Sequence, residues 1–181
     1  MSESNLWAAW TLRSHDALTA AVSAAAPPGL ALRDLAALTL IASHAGCSAD
    51  WLWSRIGLTQ SGTVRLIDRL ERLGYVDRVR RGRVLELSLT ASGQELLATW
   101  NAARDQAGRD VLDALTPEER RRFNDLLATA LRRTSRERSE ADTTCRLCNW
   151  PICTNCPVDK SVTQPTDAPD GSAGGVGGGG P

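Results

Sequence analysis

The chain has 181 residues, 42% of them hydrophobic and 23% charged, with 21 basic against 21 acidic side chains. That length is enough for one domain with a real core, and a net charge of zero excludes a uniformly basic nucleic-acid binder. No apolar run approaches the roughly 20 residues of a membrane span, and no basic region followed by an apolar core marks a signal peptide, so a cytoplasmic protein without a membrane partner is expected.

Residues 3–26 carry Leu6, Trp7, Trp10, Leu18 and Val22 at helical spacing and stop at Pro27-Pro28-Gly29. This predicts a first helix with a Trp-rich stripe, for core packing or for a subunit interface, where large aromatics are favoured. His15 on this helix reads as a satisfied core or interface residue rather than a sensor. Residues 30–44, LALRDLAALTLIASH, are apolar almost all round and predict a central helix. Gly46 stops it, and Ser48 can cap a short third helix, 49–56, with Leu52 and Ile56 inward. Gly57-Leu58 is then a tight turn into the next element.

That element, LTQSGTVRLIDRLERLGY over 58–75, is the centre of the reading. Thr59 can cap it and Gly74 can close it. Val64, Ile67, Leu70 and Leu73 repeat at i, i+3 and predict one buried stripe. Gln60, Ser61 and Thr63 in the first turns, with Arg65, Arg69 and Arg72, are side chains that meet base edges and phosphates. Alone, the helix reads equally well as an ordinary surface helix. Its C-terminal neighbours tip the balance: a short strand from Tyr75, a basic turn over Arg80–Arg83, and the alternating strand Val84-Leu85-Glu86-Leu87-Ser88-Leu89, with its three leucines on one face. A polar-started helix followed by an arginine-tipped hairpin is the order of a winged helix-turn-helix, with 48–73 as the helix-turn-helix proper. From Arg55 to Arg83 there are eight arginines against three acids, a local charge of +5 that a phosphate backbone would attract. Of Trp51 and Trp53, one is expected to pack and the other to stand exposed near DNA.

Thr90 can cap a helix running to about Leu115, and Thr116-Pro117-Glu118-Glu119 starts another to about Arg138, with Phe123, Leu126, Leu127 and Leu131 on one face. So much apolar helix around one small lobe predicts a two-fold homodimer with intertwined terminal helices, and therefore a palindromic double-stranded DNA operator. The fold class expected is mainly α with a small β-wing: a winged helix-turn-helix with long N- and C-terminal dimerisation helices.

The chain resembles the MarR family of bacterial transcription regulators from about Leu6 to Arg133. LTQSGTVRLIDRLERLGYVDR, GRVLELSLTASGQELL and LTPEERRRFNDLL carry the likeness, and Trp7 and His15 resemble the first-helix pattern of many actinobacterial members. The resemblance implies a dimeric regulator that represses or activates genes, with a repressor favoured, and that releases DNA when an effector binds. It places Gln60, Ser61, Thr63 and Arg65, led by Thr59, at the major groove. It gives Arg69 a supporting or phosphate role, and matches Arg83 to the family's wing arginine. The wing tip here is shorter and lacks the family's Asp, which leaves Arg80 and Arg81 as alternative contacts. A small-molecule pocket would lie near Trp7, Trp10, His15 and the second helix.

Cys145, Cys148, Cys153 and Cys156 form two C-x-x-C pairs separated by four residues. Each pair can put two thiolates on one metal. Zinc is favoured for four cysteines in the cytosol. The closing Cys156-Pro157 keeps an iron–sulfur cluster open, and a redox dithiol switch is the third reading. Cys47, alone, reads as a packed thiol. The chain divides into a dimerisation helix (1–29), a DNA-binding domain (30–90), dimerisation helices (91–140), a four-cysteine metal-binding extension (141–160) and a disordered Gly- and Pro-rich tail (161–181). Two distant histidines and no nucleophile with a base argue against an enzyme. A thiol oxidoreductase or a protein-interaction winged helix are the competing functions, the former lacking the βαβ pattern that usually surrounds such cysteines.

Overall fold

A computed structural model of the chain describes residues 2–82 and 84–163. Arg83, matched above to a wing contact, and the Gly-rich end from 164, read above as disordered, lie outside the described residues. The elements are α1 Glu3–Ala25, α2 Leu32–Ser43, α3 Ala49–Ile56, α4 Gln60–Arg72, β1 Val76–Arg81, β2 Val84–Leu89, α5 Ala91–Val111, α6 Pro117–Arg133 and α7 Arg138–Thr144. The strands pair antiparallel, with Val76 opposite Leu89 and Arg81 opposite Val84. The chain is mainly α with a small wing, as its periodicity predicts. No helix among the described residues is long and apolar enough to cross a membrane.

Local chemistry sets most helix ends. Ser48, Thr59, Thr90 and Thr116 each accept a hydrogen bond from a backbone N–H one turn in, those of Trp51, Gly62, Gly93 and Glu119. After α3 and α4 the chain reverses through Gly57 (φ 68°) and Gly74 (φ 80°), conformations that a side chain would strain. Arg136 ends α6 earlier than the sequence suggests: its Nη1 donates to the carbonyls of Leu131 (2.6 Å) and Thr134 (2.8 Å), capping the helix so that 134–137 turn into a separate α7.

The core forms around α2, buried from Asp34 to Ile41, with Leu52 and Ile56 of α3, Leu66, Ile67 and Leu70 of α4, Val76 and Leu87 of the hairpin, and Leu96 and Trp100 of α5. The expected stripe on α4 is corrected. Val64 and Leu73 are exposed, and the buried set is Thr63, Leu66, Ile67 and Leu70. At 3.6 residues per turn, each i+3 step drifts by about 60°, so Val64 and Leu73 end on opposite sides, whereas the i, i+3, i+4, i+7 set stays on one.

A second, smaller core joins Ala141, Cys145 and Val158, with Leu131, Trp150 and Val162 against it. The folded extension therefore starts at α7 and runs beyond Lys160. Ser161 is buried, its carbonyl accepts from Arg136 N (3.1 Å), and Thr163 N donates back to Arg136 O (3.1 Å). The boundary placed at 161 moves accordingly.

α1 lies along α5, yet Leu6, Trp7 and Leu12 of α1 are exposed, as are Leu126 and Leu127 of α6, a helix with no buried residue.

Gly93, in the first turn of α5, sits under the hairpin. A Cβ there would fall well inside contact distance of the Tyr75 carbonyl oxygen, a backbone atom that cannot swing away. Gly93→Ala is expected to lose about 1–3 kcal/mol, the range for an overpacked core position. Urea unfolding reads the loss directly; a midpoint equal to that of the parent chain would show that α5 slides without cost.

Candidate nucleic-acid interface and the four-cysteine segment

The exposed face of α4 is set by its anchors. Asp34, fully buried at the start of α2, accepts from Ala31 N (2.8 Å) and pairs with Arg69. From the other side Arg78 of β1 pairs with Asp68 and reaches Glu71 (3.3 Å). Held so, α4 turns Gln60, Ser61 and Arg65 outward. Gln60 Nε2 donates to Asp50 Oδ1 of α3 (3.1 Å), and Arg65 lies along its own helix with Nε 3.3 Å from Ser61 O. Thr59 is exposed as the cap. Thr63 is not available to a base: it is 1% exposed and its hydroxyl donates to Thr59 O (3.1 Å), because its position belongs to the buried stripe. Arg69 is a support, with its guanidinium on Asp34. The sequence carries no signal for that pair, whose members are 35 residues apart.

The local charge is smaller in effect than its count. Arg55, Arg69, Arg78 and Arg81 are each paired with a carboxylate, Arg81 Nε with Glu86 Oε2 at 2.8 Å. Among the described residues, Arg65, Arg72 and Arg80 have no carboxylate within ion-pair distance. The wing tip presents Arg80 and Arg81 side by side in sequence and exposed. The Arg81 pair is at the surface, where it is weak enough to yield to a phosphate.

Arg55, counted above among the cations of the DNA-binding stretch, faces the other way. Its Nε donates to Asp142 Oδ2 of α7 at 2.8 Å, and both side chains are buried. Its guanidinium also lies 4.1 Å above the Trp51 ring. Trp51 is thus the tryptophan that packs, and Trp53 the exposed one. His44, at the end of α2, stands between Trp51 (4.3 Å) and Trp150 (4.8 Å, edge-on). Trp150 Nε1 donates to Cys145 O (3.0 Å), and Arg104 of α5 donates to Leu147 O (2.8 Å). The four-cysteine segment is therefore seated on the back of the helix-turn-helix.

All four cysteines line one cavity of ≈ 120 Å³, together with Arg138, Asp142 and Trp150. The sulfurs of Cys145 and Cys156 are 4.0 Å apart, and Asp159 N, three residues beyond the second pair, donates to Cys156 Sγ at 3.4 Å. A tetrahedral ion with Zn–S of 2.3 Å separates its sulfurs by about 3.8 Å, so this spacing suits one ion. Cys145 is buried, Cys148 and Cys156 half-buried, and Cys153 exposed at the rim. Among the described residues no group of three His, Cys, Asp or Glu side chains is arranged to hold a metal. The thiols touch one another instead. The hydrogen bond with Cys148 and then burial push Cys145 far up, and the same bond, helped by Arg104, holds Cys148 below its ordinary value. Cys47 is apart and packed, its thiol pushed up to about 11 by burial. Four thiols are the donor type that a thiophilic metal takes, and of the four Cys153 is the most exposed.

A groove of ≈ 950 Å³ runs between α1, α2 and the end of α7, lined by Trp10, His15, Leu18, Arg33 and Arg146 among others. Two of the three expected pocket residues are there. Trp7 is 70% exposed, with Leu6 and Leu12 one of the exposed apolar residues of α1. His15 is no core residue in the single chain; it is exposed beside Asp16 (3.6 Å). Trp10 also meets Phe123 of α6 edge-on at 5.0 Å.

Residues 29–83 match a family model described as MarR family. No curated protein matches the chain by sequence. Solved structures do. The Mycobacterium tuberculosis MarR family protein Rv2887 in complex with p-aminosalicylic acid is 26% identical over 72% of this chain and 98% of its own, with a TM-score of 0.58. The same protein in complex with DNA is 24% identical over 72% and 98%, with a TM-score of 0.60. Wild-type MarR from E. coli in its apo form is 18% identical over 72% and 98%, with a TM-score of 0.61.

The aromatic seat has a pH dependence. Burial lowers His44 from its ordinary 6.5; Asp142 and the Leu40 carbonyl pull it back up, and Arg55 and Arg138 lower it further. Its neutral form is the one the fold prefers. The contribution is complete above 6.5 and is lost as pH falls through the folded value. Melting curves between about pH 7 and about pH 5 are expected to fall less steeply for His44→Phe than for the parent chain; parallel curves would remove His44 from the pH response.

Proposed function

We propose that this chain, whose residues 29–83 match the MarR family model and whose fold is similar to that of Rv2887, is a dimeric, sequence-specific DNA-binding regulator of transcription, a repressor released by a signal. The observation that carries this reading is the outward face of α4. Gln60, Ser61 and Arg65 are exposed at a capped helix start, Gln60 bonded to Asp50, while Arg80 and Arg81 extend the same reach through the wing. Such a helix start reads base edges in the major groove and the wing contacts backbone or minor groove. Rv2887, of similar fold, is held in complex with DNA.

The partner of the α1 and α6 patch is a second copy. Leu6, Trp7, Leu12, Leu126 and Leu127 are too large an exposed apolar set for a lone chain, and they lie on the two terminal helices that a two-fold axis would interleave. The signal has two supported sources. The groove beside Trp10 combines apolar walls with Arg33 and Arg146, which suits an aromatic or apolar acid, and Rv2887 is held with p-aminosalicylic acid. The four cysteines are the second source, as a thiolate site for one metal ion. Zinc is favoured by the 4.0 Å sulfur spacing, with an iron–sulfur cluster or a redox dithiol as the alternatives. A zinc ion held there would supply folding energy to the extension and no redox chemistry. The reading is non-enzymatic.

Anisotropy titration of a palindromic promoter fragment at two salt concentrations tests it. Binding should weaken steeply with salt, and Arg65→Ala should lose about 1–3 kcal/mol and relax preference at one base position. A uniform loss across sequences would make Arg65 a phosphate contact, and no binding even at low salt would sink the regulator. Metal analysis of anaerobically purified protein should return about one zinc per chain, colourless, as a four-thiolate structural site holds; a brown protein with iron and sulfide would replace zinc with a cluster.

A further inference from the structure

Asp142 belongs to two sites at once. Its Oδ2 accepts from Arg55 of α3, while its Oδ1 has no hydrogen-bond partner, although the residue is 1% exposed. The nearest cation to Oδ1 is Arg138 Nη1, at 3.8 Å. The same residue lines the cavity that all four cysteines share. A buried carboxylate with one oxygen satisfied and the other bare is costly unless something at the bare side completes it. Asp142 and Arg138 both line the cysteine cavity, so the incomplete side of the carboxylate belongs to a residue of that cavity's wall.

α3 in turn touches α4 from its far end. Asp50, at the start of α3, accepts from Gln60, the first residue of α4 and one of those turned to the groove. Arg55, at the end of α3, is the residue that Asp142 holds. The short helix is thus held at one end by the cysteine segment and bonded at the other to the start of α4.

We propose that Asp142 is the positioning residue through which the four-cysteine cavity sets the seat of α3, so that DNA affinity follows the state of the cysteines. This rests on the regulator reading of the α4 face. Gaining or losing an ion among the thiols changes what Oδ1 faces, and Asp142 shares that change with Arg55 because one carboxylate group serves both. The arginine does not leave water for this pair alone: it also covers Trp51 and donates to Trp51 O (3.2 Å). A shift at Asp142 therefore moves α3 as a unit.

The test is a double-mutant cycle in the full chain. It compares the parent, C145S/C156S, D142N and the combined variant, reading affinity for the promoter fragment and amide exchange along α3. In the parent background the cysteine substitutions are expected to weaken DNA binding on the order of tenfold and to speed exchange at 52–56. In the D142N background the same substitutions should change affinity by less than about twofold. A purely structural Asp142 would weaken both backgrounds and leave the cysteine factor unchanged, which overturns the proposal, as would cysteine substitutions without effect on α3 exchange. Should C145S/C156S lose the helical fold, Cys153→Ser, exposed at the cavity rim, replaces it in the cycle. If the parent chain binds no DNA at low salt, the regulator reading fails. The exchange arm then still decides whether Asp142 links the cavity to α3.

Discussion

A buried carboxylate governs how this chain presents itself. Asp34 is out of water at the first turn of the most buried helix, and such a charge must be met by backbone N–H groups and a cation. Ala31 N supplies the first and Arg69 the second. Because Arg69 is on α4, meeting the charge fixes the rotation of α4 about its own axis. Thr63, Leu66, Ile67 and Leu70 then face the core, and Gln60, Ser61 and Arg65 face solvent. Asp68, one residue before Arg69 and so turned by about 100°, is left to Arg78 of the wing. Two ion pairs from adjacent residues clamp the helix between α2 and β1.

That arrangement changes what the arginines mean. A count of charges along the stretch suggests a broad electrostatic footprint. In three dimensions four of the arginines have carboxylates of their own, two of these carboxylates fully buried, and the cations left for a phosphate are few and placed at the helix face and the wing tip. Nonspecific attraction is correspondingly modest for such a domain, because each phosphate contact needs a cation free to replace a counterion. In the proposed regulator, discrimination would fall to Gln60, Ser61 and Arg65, whose polar atoms are positioned by helices rather than by loops. Under the proposed reading, half-sites of limited affinity gain most from being read in pairs, which suits the exposed apolar residues of α1 and α6.

The parts of this fold legible in the sequence are the ones that local chemistry decides. Ser48, Thr59, Thr90 and Thr116 mark helix starts by side-chain capping, Gly57 and Gly74 mark reversals, and the alternation over 84–89 marks the second strand. Those signals are enough to place the helix-turn-helix, the wing and the outward Gln60, Ser61 and Arg65. Helix rotation is harder to read, since a run of i+3 hydrophobes drifts round the helix and Thr63 is compatible with either face. The rest is illegible because its partners are remote. Arg55 and Asp142 are 87 residues apart, and nothing local distinguishes Arg55 from a DNA contact or Asp142 from a solvated helix residue. The cysteine spacing announces that the four thiols belong together, but not that Trp150 carries the segment back onto His44 and Trp51.

That return has a physical logic. The extension has few large apolar side chains of its own; its small core rests on Ala141, Cys145 and Val158. Trp150 packs against both this core and the main one, so the extension gains burial only by staying on α2 and α3. Apolar contact alone would tolerate sliding, because it is non-directional. The Arg55–Asp142 pair does not tolerate it. Removing either partner leaves a buried charge unmet, whereas an apolar pair of similar volume would often be as stable. Charge at this junction therefore contributes register more than stability. It holds α7 at one position along α3, at the end of α3 opposite its hydrogen bond to the helix that would read DNA.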